Sequence, residues 1–244
     1  MRIDISINTV KNLSDLSYGE SLLDILKDFG LVIEKVNAYE PVNKPFEPEN
    51  FPQMWSGKND CTFLFKGSKE VSFSGMASWV RNLHPDSQIV CGVNIFFNLK
   101  KNYDVNKLLQ LGDALFIWCD AFYGAITEHA KDPIYTDYQY VNSGRMLYHL
   151  FWANYFGKPY MDEPDFNIPA DPIKVGNGVR VMLADSPTDE KLSDPAYIQM
   201  RKQEIGEEWF WVKPDKILRK ELKKKVPFMD RSEITRKEES CGKV

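Results

Sequence analysis

The sequence lacks most of the short signatures that announce a chemistry. It has no glycine-rich phosphate loop: Gly67, Gly75 and Gly144 are isolated, and Gly176-Asn177-Gly178 has the pattern of a hairpin turn, so a nucleotide cradle is not expected. The four cysteines, Cys61, Cys91, Cys119 and Cys241, are widely spaced with no CxxC pair, which argues against a zinc site or a disulfide framework and for free thiols in a reducing compartment. Histidine is scarce, with only His84, His129 and His149. No run approaches the roughly 18 apolar residues of a membrane span, and the opening MRIDISINTVKNLSDLSYGESLL breaks up the apolar stretch a signal peptide needs. A soluble cytoplasmic protein with no membrane partner is expected. No internal repeat or low-complexity tract is visible.

What is present is enough apolar material for a large core. The chain has 244 residues, 43% of them hydrophobic, which excludes global disorder. Its formal charge of −4 is unevenly spread: from Lys213 onward there are 11 Lys and Arg against 6 Asp and Glu, leaving 20 against 29 before it. An acidic body repels polyanions, so no nucleic-acid partner is expected. The Lys-rich segment 213 to 225 lacks the interleaved aromatics that stack bases and reads as an exposed basic helix, followed by a frayed tail from 230. The expected organisation is one domain over 1–212 and a basic C-terminal helix and tail over 213–244.

Residues 3 to 9 alternate apolar and polar as a strand does, and Ser21 to Phe29 carries Leu22, Leu23, Ile25, Leu26 and Phe29 at helical spacing. Pro41, Pro45, Pro48 and Pro52 then predict a long loop. Cys61 to Phe65 and Val71 to Phe73 read as a hairpin turning through Gly67-Ser68-Lys69, with Phe63, Phe65 and Phe73 on one face; Ser87 to Leu99 reads as a stronger strand. Asp104 is placed to cap a helix running to about Phe122, and Tyr123 to Thr127 predicts a short strand. Leu147 to Phe156 is compatible with strand or helix, Gly178 to Ala184 alternates as a strand, and Ser193-Asp194-Pro195 opens a helix that runs to Gly206. Strands in runs with helices between the runs predict an α+β fold with a largely antiparallel sheet and helices packed mainly on one side.

Two constellations invite a chemical reading. Cys119 and His129, with Asp120, Glu128 and Asp132 nearby, contain the residue types of a thiol hydrolase, although Cys119 on the apolar face of its helix reads better as a small hydrophobe. Glu128, His129 and Asp132 have metal-ligand chemistry, but such triplets arise by chance on solvated loops, so no metal and no cofactor is expected. The stretch HLFWANYFGKPYMDE, residues 149 to 163, concentrates five aromatics around Asn154 and reads as core, with Asn154 tying backbone at the Gly157-Lys158-Pro159 turn.

That stretch, taken with VRVMLADSPTDEKLSDPAYIQMRKQEIGEEWFW, resembles a bacterial family of immunity proteins associated with type VI secretion and polymorphic toxins. Trp152, Ala153, Asn154, Phe156, Gly157, Pro159 and Tyr160 match the first motif, and Val179 to Leu183, Asp185, Pro187, Asp194, Pro195, Tyr197, Gly206 and Phe210 the second. The helix from Asp104 and the following Tyr123-Gly124 extend the resemblance over about 85 to 212. The family commonly has a short helix with a Gly and a basic-acidic pair after the first motif, whereas this chain has Asp165-Phe166-Asn167-Ile168-Pro169. The resemblance implies a non-enzymatic inhibitor that binds a cognate toxin, frequently a nuclease. Candidate toxin-binding residues are then the acids Asp120, Glu128 and Asp132, or Asp162, Glu163 and Asp165, with Trp152, Asn154, Gly157, Pro159 and Tyr160 as structural motif. A secretion-system or prophage scaffold is the alternative, and a small Cys/His hydrolase a third.

Overall fold

The computed structural model describes residues 1–9, 11–56, 62–67, 72–79, 91–99, 104–128, 147, 149–169 and 171–210. Ten strands among them form one antiparallel sheet: β1 (Arg2–Thr9), β2 (Ile33–Asn37), β3 (Lys44–Pro45), β4 (Thr62–Gly67), β5 (Phe73–Ser78), β6 (Cys91–Asn98), β7 (Tyr123–Glu128), β8 (Ala153–Phe156), β9 (Ile173–Val175) and β10 (Gly178–Met182). Their order across the sheet is β3-β2-β4-β5-β6-β1-β7-β8-β10-β9. Five helices accompany them: α1 (Leu16–Asp28), α2 (Phe51–Ser56), α3 (Val105–Trp118), α4 (Lys158–Met161) and α5 (Pro195–Ile205). The fold is α+β.

The centre of the sheet is a split crossover. β6 and β7 both pair antiparallel with β1, so they run parallel to each other with β1 inserted between them and α3 making the connection. Ile3, Ile5 and Ile7 of β1 point to the α3 face and are fully buried, continuing through Val93, Ile95 and Phe97 on β6. α1 packs beside α3 on this face, where Trp118 Nε1 donates to the Tyr18 carbonyl at 3.0 Å. Gly112 lets α3 settle close to the sheet, because a Cβ there would strike the Tyr155 hydroxyl and Ile126.

Each long helix starts on an aspartate that accepts a first-turn amide: Asp15 from Ser17 N at 3.0 Å, Asp104 from Asn106 N at 2.9 Å and Asp194 from Ala196 N at 2.9 Å. The Asp104 cap and the helix start at Ser193-Asp194-Pro195 match the sequence reading, whereas α1 starts at Leu16, ahead of the predicted Ser21. α3 stops at Trp118, short of Phe122, because Asp120 takes a left-handed conformation (φ 47°) and Ala121 N returns to the Phe116 carbonyl.

The proline-rich stretch is more ordered than a loop. Pro52 falls in the first turn of α2, where its missing N–H costs nothing, and Trp55 is fully buried, donating to the Leu13 and Asp15 carbonyls at 2.9 and 3.1 Å. Gly67 belongs to β4; the rest of the predicted hairpin turn, Ser68 and Lys69, lies outside the described residues, as do 87–90 of the predicted third strand and the basic segment 213–225. Phe63, Phe65 and Phe73 do share a face. The Leu147 to Phe156 ambiguity resolves to strand over Ala153–Phe156. Both sheet edges are short: β3 has two residues, one of them Pro45, and β9 has three and follows Pro172, which limits edge pairing with other chains.

Candidate functional site

The two motif segments fold into one another. Trp152 Nε1 donates to the Ala184 carbonyl at 3.0 Å, Leu183 N donates to the Trp152 carbonyl at 2.9 Å, and the Tyr197 hydroxyl donates to the Leu183 carbonyl at 2.5 Å. On the face of the sheet opposite α3, Tyr123 and Phe156 meet a ring cluster of Tyr160, Phe166 and Trp209, with centroids 5.0 to 6.3 Å apart where they touch. Trp152, Phe156, Tyr160 and Trp209 are at most 2% exposed. The stretch is therefore core.

Asn154 is completely buried with a partner for each polar atom: its Oδ1 accepts from Phe151 N at 2.9 Å and its Nδ2 donates to the Phe151 carbonyl at 2.7 Å. It ties the backbone three residues upstream, not the Gly157 turn as expected. Gly157 serves by close approach, since a Cβ would meet the Ala121 carbonyl, and its N–H donates to the Phe122 carbonyl at 2.9 Å. Pro159 lies in the first turn of α4 and Tyr160 points into the ring cluster.

Four ionisable side chains are largely buried: His149, Lys202, Arg180 and Tyr155. Burial holds the His149 imidazole at about 4, with the neighbouring Lys202 ammonium adding to the shift, so it is neutral at neutral pH. Lys202 is itself lowered by burial, against the opposing pull of Glu207, and its Nζ stands 5.1 Å over the Phe210 ring. Arg180, 8% exposed, places Nη1 2.5 Å from both Asp113 carboxylate oxygens and thereby pins β10 to α3. Tyr155 beside it donates to the Leu109 carbonyl at 3.3 Å, and burial pushes its phenol up.

Asp120 lies in the turn ahead of β7 and Glu128 ends that strand, whose six residues span about 17 Å at roughly 3.3 Å per step. Asp120 is held by Lys11 at 3.0 Å, a contact that raises the Lys11 pKa chiefly through the hydrogen bond, and by Asn177 at 3.5 Å. Asp132 lies outside the described residues, as does His129. Asp162 is exposed and paired with Lys158 at 2.6 Å. Glu163 and Asp165 follow it, Glu163 half-buried and Asp165 exposed, where the Asp165 carbonyl accepts from Trp209 Nε1 at 3.3 Å. A further row was not singled out from the sequence: Glu20, Asp24 and Asp28 are exposed at i, i+4 and i+8 on α1, a spacing legible once the helix start is known.

Cys119 is fully buried at the end of α3, its Sγ donating to the Leu115 carbonyl at 3.4 Å, and burial raises its pKa. A nucleophilic thiol needs the opposite shift. Among the described residues no group of three His, Cys, Asp or Glu side chains is placed to hold a metal ion, and no helix is long and apolar enough to cross a membrane.

These features define an α+β protein whose core takes in the aromatic residues Trp152, Phe156, Tyr160 and Phe210 of the two motifs. No protein-family model matches the sequence, and no curated protein matches it. Among solved structures the fold is similar to that of the Pseudomonas aeruginosa T6SS protein PA0821, with a TM-score of 0.54 and 13% identity over 83% of this chain and 75% of that one. At that identity the likeness is one of fold.

Proposed function

We propose that this chain is an immunity protein that binds a cognate toxin of a type VI secretion system and neutralises it by direct contact, without turnover. The observation that carries the reading is the division between packing and charge. The aromatic and aliphatic residues of the two family-like motifs are mostly taken up by the core, with Asp185, Asp194 and Pro195 exposed, while Asp162, Glu163 and Asp165 and the α1 acids stand at the surface of a body with 29 acidic against 20 basic residues before Lys213. A nuclease attracts a polyanion and presents cationic surface, so an acidic inhibitor complements its field and gains association rate and partner choice. The likeness of fold to a T6SS protein supports the setting.

Of the acids named from the sequence, Asp162, Glu163 and Asp165 are the better contacts, because they fall within four consecutive positions after α4, whereas Asp120 precedes β7 and Glu128 ends it. The test is co-expression with the product of the adjacent gene, scoring growth and then complex formation by size-exclusion chromatography. Rescue with a stable complex is expected. Charge reversal at Asp162 and Asp165, and separately at Glu20, Asp24 and Asp28, is expected to slow association about tenfold at low salt for whichever surface is used. A harmless neighbour that nevertheless binds points instead to a scaffold or adaptor; rescue without a complex overturns direct inhibition.

A further inference from the structure

We draw no further inference here: the strongest candidate, the exposed row of carboxylates Glu20, Asp24 and Asp28 on the outer face of α1, is an acidic cluster with no second feature beside it, and nothing in the structure shows what covers it.

Discussion

On the β2 to β6 side of the central strand, the face of the sheet away from α3 is only partly buried; on the β7 to β10 side the same face is sealed. One row of directly paired residues crosses both regions: Leu64, Met76, Asn94 and Ser6, then Ala125, Asn154 and Val181. The first four are intermediate in exposure, and the last three are 6%, 0% and 1% exposed. On the second half, Tyr160, Phe166 and Trp209 stack over the adjacent Tyr123–Phe156 pair. Sheet residues at equivalent positions thus face different demands: beyond β1, a polar side chain on this face must find its partners inside the protein, as Asn154 does.

The comparison can be broken or sharpened by substitution. The largest loss is expected for Trp209→Ala, which empties the middle of the ring cluster and should cost about 4 kcal/mol in chemical denaturation, against about 1 kcal/mol or less for Met76→Ala on the half-open side. Equal losses at the two positions contradict the asymmetry. Asn154→Ala strands the Phe151 N–H and carbonyl in a dry site and should cost about 3 kcal/mol; a loss under about 1 kcal/mol means that the site is wetter than its burial indicates.

His149 gives the sealed half a pH dependence. Its folded pKa of about 4 lies below the ordinary 6.5, so between those values the unfolded chain takes up a proton that the folded one refuses. Stability from this group is complete above pH 6.5 and falls by up to about 3 kcal/mol as the pH drops toward 4, then levels off. In His149→Gln that slope should vanish from the variant's own stability–pH profile, so that the difference between parent and variant carries it, measured by denaturation across the range. Lys202→Met should produce a smaller effect, raising stability at pH 7 by about 0.5 kcal/mol and moving the His149 titration upward in NMR spectra, since it removes a neighbouring cation. The exposed Lys158–Asp162 pair sets the lower end of the scale: Asp162→Asn is expected to change stability by less than about 0.5 kcal/mol.

How much of this was legible depended on how regular each element is. β1 and β10 announce themselves by alternation, and α3 and α5 by an aspartate ahead of an apolar pattern. β2 was missed because a register shift between Ile33 and Lys35 breaks the period of two, burying Ile33 and Val36 with two exposed residues between them. β9 was missed because three residues carry no period. The prolines hid α2, although Phe51 and Trp55 sit one helical turn apart in that stretch. The core role of the aromatic motif could be read from its density, but the partner of Asn154 could not, because a hydrogen bond to Phe151 depends on the bend of the chain leading into β8. The acids were readable as charges; their separation across β7 and the capture of Asp120 by Lys11 required the fold.

The position of β1 has a consequence for how the chain matures. Both of its neighbours are made long after it, β6 ending at Asn98 and β7 at Glu128, so during synthesis the first strand waits for about 120 residues before its second partner exists. At synthesis rates of roughly 5–20 residues per second that interval is on the order of ten seconds. Throughout it the alternating isoleucines of β1 remain unpaired on at least one side, so the two halves of the sheet join late, at a seam formed by residues made well before either partner.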